Sequence, residues 1–202
     1  MLSKVLGAVG RTLITAGTLI LLFVAYQLWG TGLQEAKSQK VLSKDFEEQL
    51  ASIDQTATTT TAPPTTTTST PEGTTPTIAV TKVEPVTQNL PLPAEGDPIA
   101  KIEIPSIGVN RTVVSGVALS QLKRGPGHYA ETPLPGQKGN VAIAGHRTTY
   151  GQPFHNIDKV KKGDQIIFKT MQGTFVYEAT DTLIVKPSQV EILEDKGDNR
   201  VT

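Results

Sequence analysis

Between Arg11 and Glu35 the chain carries no charged residue, and Thr12 to Trp29 is predominantly apolar around Leu19-Ile20-Leu21-Leu22-Phe23-Val24. A span of about 20 apolar residues is what a bilayer core requires. This stretch therefore predicts a membrane anchor over residues 12–32 and leaves only the residues C-terminal to it to fold in water. Lys4 and Arg11 precede the stretch without any acidic residue, whereas Glu35, Asp45, Glu47 and Glu48 dilute the lysines on its other side. The positive-inside rule then puts residues 1–11 in the cytoplasm and the rest of the chain outside the cell. Tyr26-Gln27-Leu28-Trp29 offers no small-x-small cleavage site, so the anchor is expected to stay attached. Tyr26 and Trp29 suit an interfacial aromatic belt.

Residues 33–54 place Leu33, Val41, Leu42, Phe46, Leu50 and Ile53 at spacings that suit a helical stripe, among charges of both signs. The expectation is a juxtamembrane helix acting as a stalk that continues the anchor. From Thr56 to Thr77 the chain holds thirteen threonines and four prolines. Such a composition cannot bury enough apolar area to offset the entropy of ordering, so 55–97 is expected to be a disordered linker holding the C-terminal part off the membrane. Thr/Pro-rich segments outside a cell are also possible sites of O-glycosylation on composition alone.

The folded domain is expected over residues 98–202. Ile99 to Pro105 alternates and ends at a proline, which reads as a strand entering a turn. Further strands are expected at Arg111 to Val117, Asn140 to Gly145, Gln165 to Thr170 and Gly173 to Val185. A helical turn is expected at Ala118 to Lys123, and an ordered Gly/Pro-dense loop from Gly125 to Gly139. Met171-Gln172-Gly173 reads as a tight hairpin connection, and Ser188 to Leu193 as a short helical or irregular crossover. Short strands joined by turns, with almost no long helical period after residue 98, predict a small mostly β fold, an antiparallel barrel or sandwich.

Within this domain, Gly139-Asn140-Val141-Ala142-Ile143-Ala144-Gly145-His146-Arg147 delivers a histidine from the end of an apolar strand into a loop bounded by Gly151 and Pro153. A ring placed there, with an ordinary pKa near neutrality, suits proton transfer. Together with Gly125-Pro126-Gly127-His128-Tyr129 and Thr132-Pro133-Leu134-Pro135-Gly136, the segment resembles the central signature of the sortases, most closely the class E type. These are membrane-anchored cysteine transpeptidases of Gram-positive surfaces.

The resemblance covers about residues 98–202 and implies a sortase-like antiparallel β-barrel with His146 as the catalytic histidine. By the same resemblance, a thiolate attacks the Thr-Gly bond of a Leu-Pro-x-Thr-Gly or Leu-Ala-x-Thr-Gly sorting signal on an exported protein. The histidine protonates the departing amine, an arginine supports the oxyanion, and the acyl group passes to an amine of a peptidoglycan precursor or another acceptor. His128 and Tyr150 are expected beside the substrate groove, His128 with loop packing as an alternative role and Tyr150 with core packing.

The chain contains no cysteine. The turn Lys196-Gly197-Asp198 and the start of a strand at Arg200-Val201-Thr202 resemble the approach to the family's cysteine strand. The expectation is that the chain stops a few residues short of the nucleophile, lacks most of two strands, and by itself is poorly stable and inactive. Arg147 and Arg200 do not fall at the family's arginine position. An alternative from another class is a non-catalytic, membrane-anchored surface binding module, a pseudo-sortase that keeps the groove without the thiol.

Lys plus Arg and Asp plus Glu number 19 each, and no basic run is interleaved with aromatics, so nucleic-acid binding is not expected. Gly127, Gly136 and Gly139 lack the Lys-Ser/Thr ending of a phosphate loop. His146, His155 and Asp158 include metal-ligand residue types, but their spacing matches no standard zinc pattern, and no cofactor or metal is expected.

Overall fold

The computed structural model describes residues 2–26, 30–57 and 93–202. Residues 58–92, where most of the expected linker falls, and Trp29 of the expected aromatic belt lie outside the described residues. The first helix, α1, runs Leu2–Ala25. Within it, Leu6–Ala25 has a mean hydropathy of 1.9, none of it is buried against the protein, and it is long and apolar enough to cross a membrane. That window begins and ends six or seven residues earlier than the stretch expected from charge alone. Inside it, the Thr12 and Thr15 hydroxyls donate to the carbonyls of Ala8 and Arg11 at 3.1 and 2.9 Å, so two polar groups are satisfied within the helix itself.

A second helix, α2, spans Thr31–Ala57. The expected stalk is corrected here: α2 does not stand free but lies across the β-domain, packed on its first two strands, β1 (Pro98–Ile104) and β2 (Val109–Ser115). Leu42 and Phe46 are completely buried beneath it, whereas Leu33, Val41 and Ile53 of the expected stripe remain exposed. The docked face is Glu35, Gln39, Leu42 and Phe46, spaced by four, three and four, and half of it is polar. A hydrophobic-periodicity reading does not register Glu35 and Gln39, which is why the helix reads as a stalk in the sequence. Lys101 of β1 reaches Glu47 of α2 at 2.7 Å and ties the two elements from the rim.

Beside three short 3-10 turns at Pro105–Ile107, Ile157–Lys159 and Val190–Leu193, the remaining elements are a one-turn helix α3 (Leu119–Leu122), β3 (Gly127–His128), β4 (Gly139–Val141), β5 (Ile143–Ala144), β6 (Gln165–Thr170), β7 (Gly173–Glu178) and β8 (Asn199–Val201). Six strands form one sheet in the order β5-β3-β2-β1-β6-β7, and β4 and β8 form a second, two-stranded one. The long pairings, β1 with β2, β1 with β6 and β6 with β7, are antiparallel; the parallel pairs β2 with β3 and β4 with β8 are short.

Three expected features change. Asn140 to Gly145 is split at Ala142 between the two sheets, β3 appears inside the Gly/Pro-dense loop, and β7 ends at Glu178 rather than Val185. The core lies on the face of the sheet opposite α2: Ala100, Ile102 and Ile104 of β1 pack with Val109, Val113 and Phe168, and Phe154, Ile157 and Val160 close over them. Phe168 meets Tyr177 edge to face at 5.8 Å. The result is a mostly β sheet curled into a half-barrel, as the sequence reading of a sortase-like barrel anticipates.

Candidate active site

Because β5 pairs with the two residues of β3, the chain leaves the sheet at Gly145 and turns at once into a loop. The Phe154 N–H donates to the His146 carbonyl at 3.2 Å, which closes that loop on itself. At Gly145 a Cβ would stand 2.6 Å from the Phe154 ring, so only glycine allows the aromatic side chain to seal the base of the loop. At its tip Tyr150, Gly151 and Gln152 come one after another with φ of 49°, 71° and 50°. Two non-glycine residues held in the left-handed region cost about 1–3 kcal/mol each, a strain that surrounding contacts must hold.

The His146 ring is half-buried. Its Nδ1 lies 3.1 Å from the carbonyl of Leu122, at the end of α3. A carbonyl only accepts, so Nδ1 carries the proton and the neutral ring offers an unprotonated Nε2. Among the described residues Nε2 has no hydrogen-bond partner. Tyr150 packs edge-on against the ring at 4.8 Å between centroids, and Lys123 Nζ stands 5.5 Å over the Tyr150 ring. The structure thus brings together His146 and Tyr150, with Leu122 and Lys123 as neighbours that the sequence reading does not single out. α3 is legible as a helical turn, but nothing local says that it faces the histidine.

His128 is placed differently. It is 2% exposed, with Nε2 donating to the Pro133 carbonyl at 2.9 Å and lying 3.2 Å from the Thr132 hydroxyl. That hydroxyl in turn donates to the Tyr129 carbonyl and accepts from the Ala142 N–H. Burial holds the His128 pKa below its ordinary value, opposed by its bonds to the loop and by Glu131. A ring so enclosed has no open face for a substrate, so the expected groove position gives way to the alternative of loop packing.

Arg147 pairs with Asp158 at 2.8 Å, and Arg200 is held by both oxygens of Asp198. His155 Nδ1 meets the Arg147 carbonyl at 3.2 Å. Asp158 and His155 are thereby committed within the loop, and among the described residues no group of three or more metal-ligating side chains converges. A cavity of about 250 Å³ lies elsewhere, between the end of α2 and β1, lined by Gln49, Ile53, Pro98, Ile99, Leu134 and Met171; none of the His146 neighbours reaches it.

A mostly β half-barrel that presents a loop-borne histidine from a strand end is the architecture of a sortase catalytic domain, and sequence comparison assigns it. The family model of the Sortase domain matches residues 102–202, and the chain belongs to the sortase family. It is 31% identical over 93% of its length to Sortase SrtE1 of Streptomyces coelicolor, of which it spans 46%. Among solved structures, a Clostridium perfringens sortase D5 transpeptidase is 26% identical with a TM-score of 0.53, covering 81% of this chain and 82% of that one. The sortase E of Streptomyces avermitilis is 39% identical with a TM-score of 0.48, over 51% of this chain and 70% of that one. Family membership supports transpeptidase chemistry in general terms.

Proposed function

We propose that His146 is the acid-base residue of a sortase-type transpeptidase site acting on Leu-Pro-x-Thr-Gly or Leu-Ala-x-Thr-Gly signals. The observation that carries this reading is the bond from Nδ1 to the Leu122 carbonyl, which leaves Nε2 without a partner among the described residues in a strand-end loop. Nδ1 donates whether the ring is neutral or cationic, so the bond holds the ring in place through both states. A thiolate attacks the threonine carbonyl, the Thr-Gly C–N bond breaks, and the imidazolium gives its Nε2 proton to the departing glycine amine. An acceptor amine of a wall precursor or similar partner then attacks the thioester, returns a proton to Nε2 and releases the thiolate. Tyr150, packed against the ring, flanks the groove. His128 shapes the loop from below.

The 202 residues contain no cysteine, so these residues alone form no thioester. The apolar helix at Leu6–Ala25, with Arg11 and Lys4 toward its N-terminal side, supports a single-pass anchor with its N-terminus in the cytoplasm and the β-domain outside.

The test joins to Thr202 the segment that comes after the matching position in Sortase SrtE1 of Streptomyces coelicolor, and assays cleavage of a fluorogenic Leu-Ala-x-Thr-Gly peptide. The extended chain is expected to cleave, His146→Ala to lose at least about 100-fold in rate, and the 202-residue chain to be inert. Peptide binding without cleavage in the extended chain would replace the enzyme with the surface binding module.

A further inference from the structure

The two backbone segments that fix the His146 ring are both held from outside the β-domain, by side chains one turn apart on α2. On one side, the Gln39 amide accepts from the Thr112 N–H at 2.7 Å and donates to the Thr112 carbonyl at 3.0 Å and the Arg124 carbonyl at 2.9 Å. β3 begins to pair with β2 only at Val114, so Gln39 supplies the rung of the ladder that no strand provides at Thr112. Arg124 closes the α3 turn through its N–H to the Gln121 carbonyl, and Lys123 N–H bonds back to Leu119. Pinning Arg124 therefore pins Leu122, whose carbonyl receives Nδ1 of His146.

On the other side, a Cβ on Gly151 would overlap the Glu35 carboxylate, so α2 presses directly on the middle of the left-handed run Tyr150 to Gln152. Glu35 is 2% exposed and stands 3.2 Å from Arg111 Nε. The pair is poorly aligned: Glu35 Oε1 and Arg111 Nε are both buried without a hydrogen-bond partner. Burial raises the Glu35 pKa, with Arg111 opposing that shift. An ion pair buried in this way contributes little net stability compared with an apolar contact. Its position against the strained loop matches a device that holds geometry better than one that holds the fold.

We propose that α2 is a positioning element for the reacting histidine, with Glu35 and Gln39 as the positioning residues that hold the Tyr150–Gln152 loop and the Leu122 carbonyl on either side of the His146 ring. The proposal rests on His146 being the reacting histidine. It makes the segment between anchor and β-domain part of the active-site scaffold, and it couples the seating of the domain on its membrane helix to the state of the site.

The chain has three histidines, so the 202-residue chain in detergent micelles, labelled with ¹⁵N-histidine, reports each ring separately. In the parent chain with its rings neutral, His146 is expected as a single Nδ1–H tautomer and His128 as Nε2–H. The double variant Glu35→Ala, Gln39→Ala is expected to turn His146 into a mixture of tautomers while His128 is unchanged, and Glu35→Gln, which keeps the shape and an acceptor, is expected to retain most of the single form. A single, unshifted His146 tautomer in the double variant with His128 intact overturns the proposal. Should the double variant lose the His128 signature as well, Gln39→Ala alone decides by the same two signals. In the extended, cleaving chain, Glu35→Ala is expected to lower kcat by about 10- to 100-fold with KM nearly unchanged. The tautomer readout needs no thiol, so failure of the peptide assay leaves it standing, and its own failure leaves the peptide assay untouched.

Discussion

The two sides of the sheet are finished very differently. Over β1 and β2, α2 buries Leu42 and Phe46 completely and satisfies the free edge of Thr112 with a glutamine. At the other end, β7 is an edge strand with Val176 exposed, and the irregular segment after it leaves Leu183 and Ile184 open to solvent. The covered side is also the side whose contacts lead to His146, while among the described residues the open side touches nothing in that network. The difference separates a face whose packing partners lie within these residues from one whose apolar side chains meet no partner among the described residues.

Phe46→Ala is the strongest test of the covered side. Removing a fully buried aromatic ring is expected to cost about 3–5 kcal/mol in a chemical-denaturation midpoint analysis of the full chain. A loss under about 1 kcal/mol would mean that α2 is not docked in solution and stands free as a stalk. Gly145→Ala comes next. Its new methyl must displace the Phe154 ring, an overpacking expected to cost about 1–3 kcal/mol and to shift the His146 resonances.

His128 sharpens the comparison through pH. Its folded pKa lies below the ordinary 6.5, because burial disfavours the charged ring, so the unfolded chain binds more protons in the window between the two values. Stability is thus fully present above 6.5 and is lost as pH falls through the folded value. His128→Gln, which keeps a donor for the Pro133 carbonyl, is expected to flatten that part of the acid-denaturation curve. An unchanged curve would place the sensitive group elsewhere.

The range of the forces involved decides how much of the molecule is legible in its sequence. β1, β2 and β6 are readable because alternation along a strand is local, and β1 keeps Ala100, Ile102 and Ile104 on the core face as its pattern requires. His146 is readable because a strand end, a glycine and a loop occur together within a few residues. β3 is not: two residues inside a Gly/Pro-dense loop carry no period, and only pairing with β2 and β5 makes Gly127 and His128 a strand. The carbonyl of Leu122 and the grip of Glu35 and Gln39 are likewise products of contacts across tens to more than a hundred residues of sequence, and the burial of His128 accompanies the pairing of β3 on both its sides. A polar docking face is the least visible of all, since hydrophobic patterning scores it as surface.

The overextension of β7 makes the opposite error, and it yields the smallest expected effect. Leu183-Ile184-Val185 has the composition of a buried strand, yet among the described residues Ile184 buries nothing and the local anchors are Thr182 to the Val160 carbonyl and Gln189 to the Lys186 N–H. Ile184→Ser removes no packing in this state, so the unfolding midpoint should move by no more than about 0.5 kcal/mol. An exposed apolar run beside an open strand edge is, however, a template for association. Light scattering of the full chain in detergent should therefore show slower aggregation for the serine variant at unchanged stability. If Ile184→Ser instead costs as much as a core truncation, the segment is covered in solution, and the contrast between the two sides of the sheet disappears.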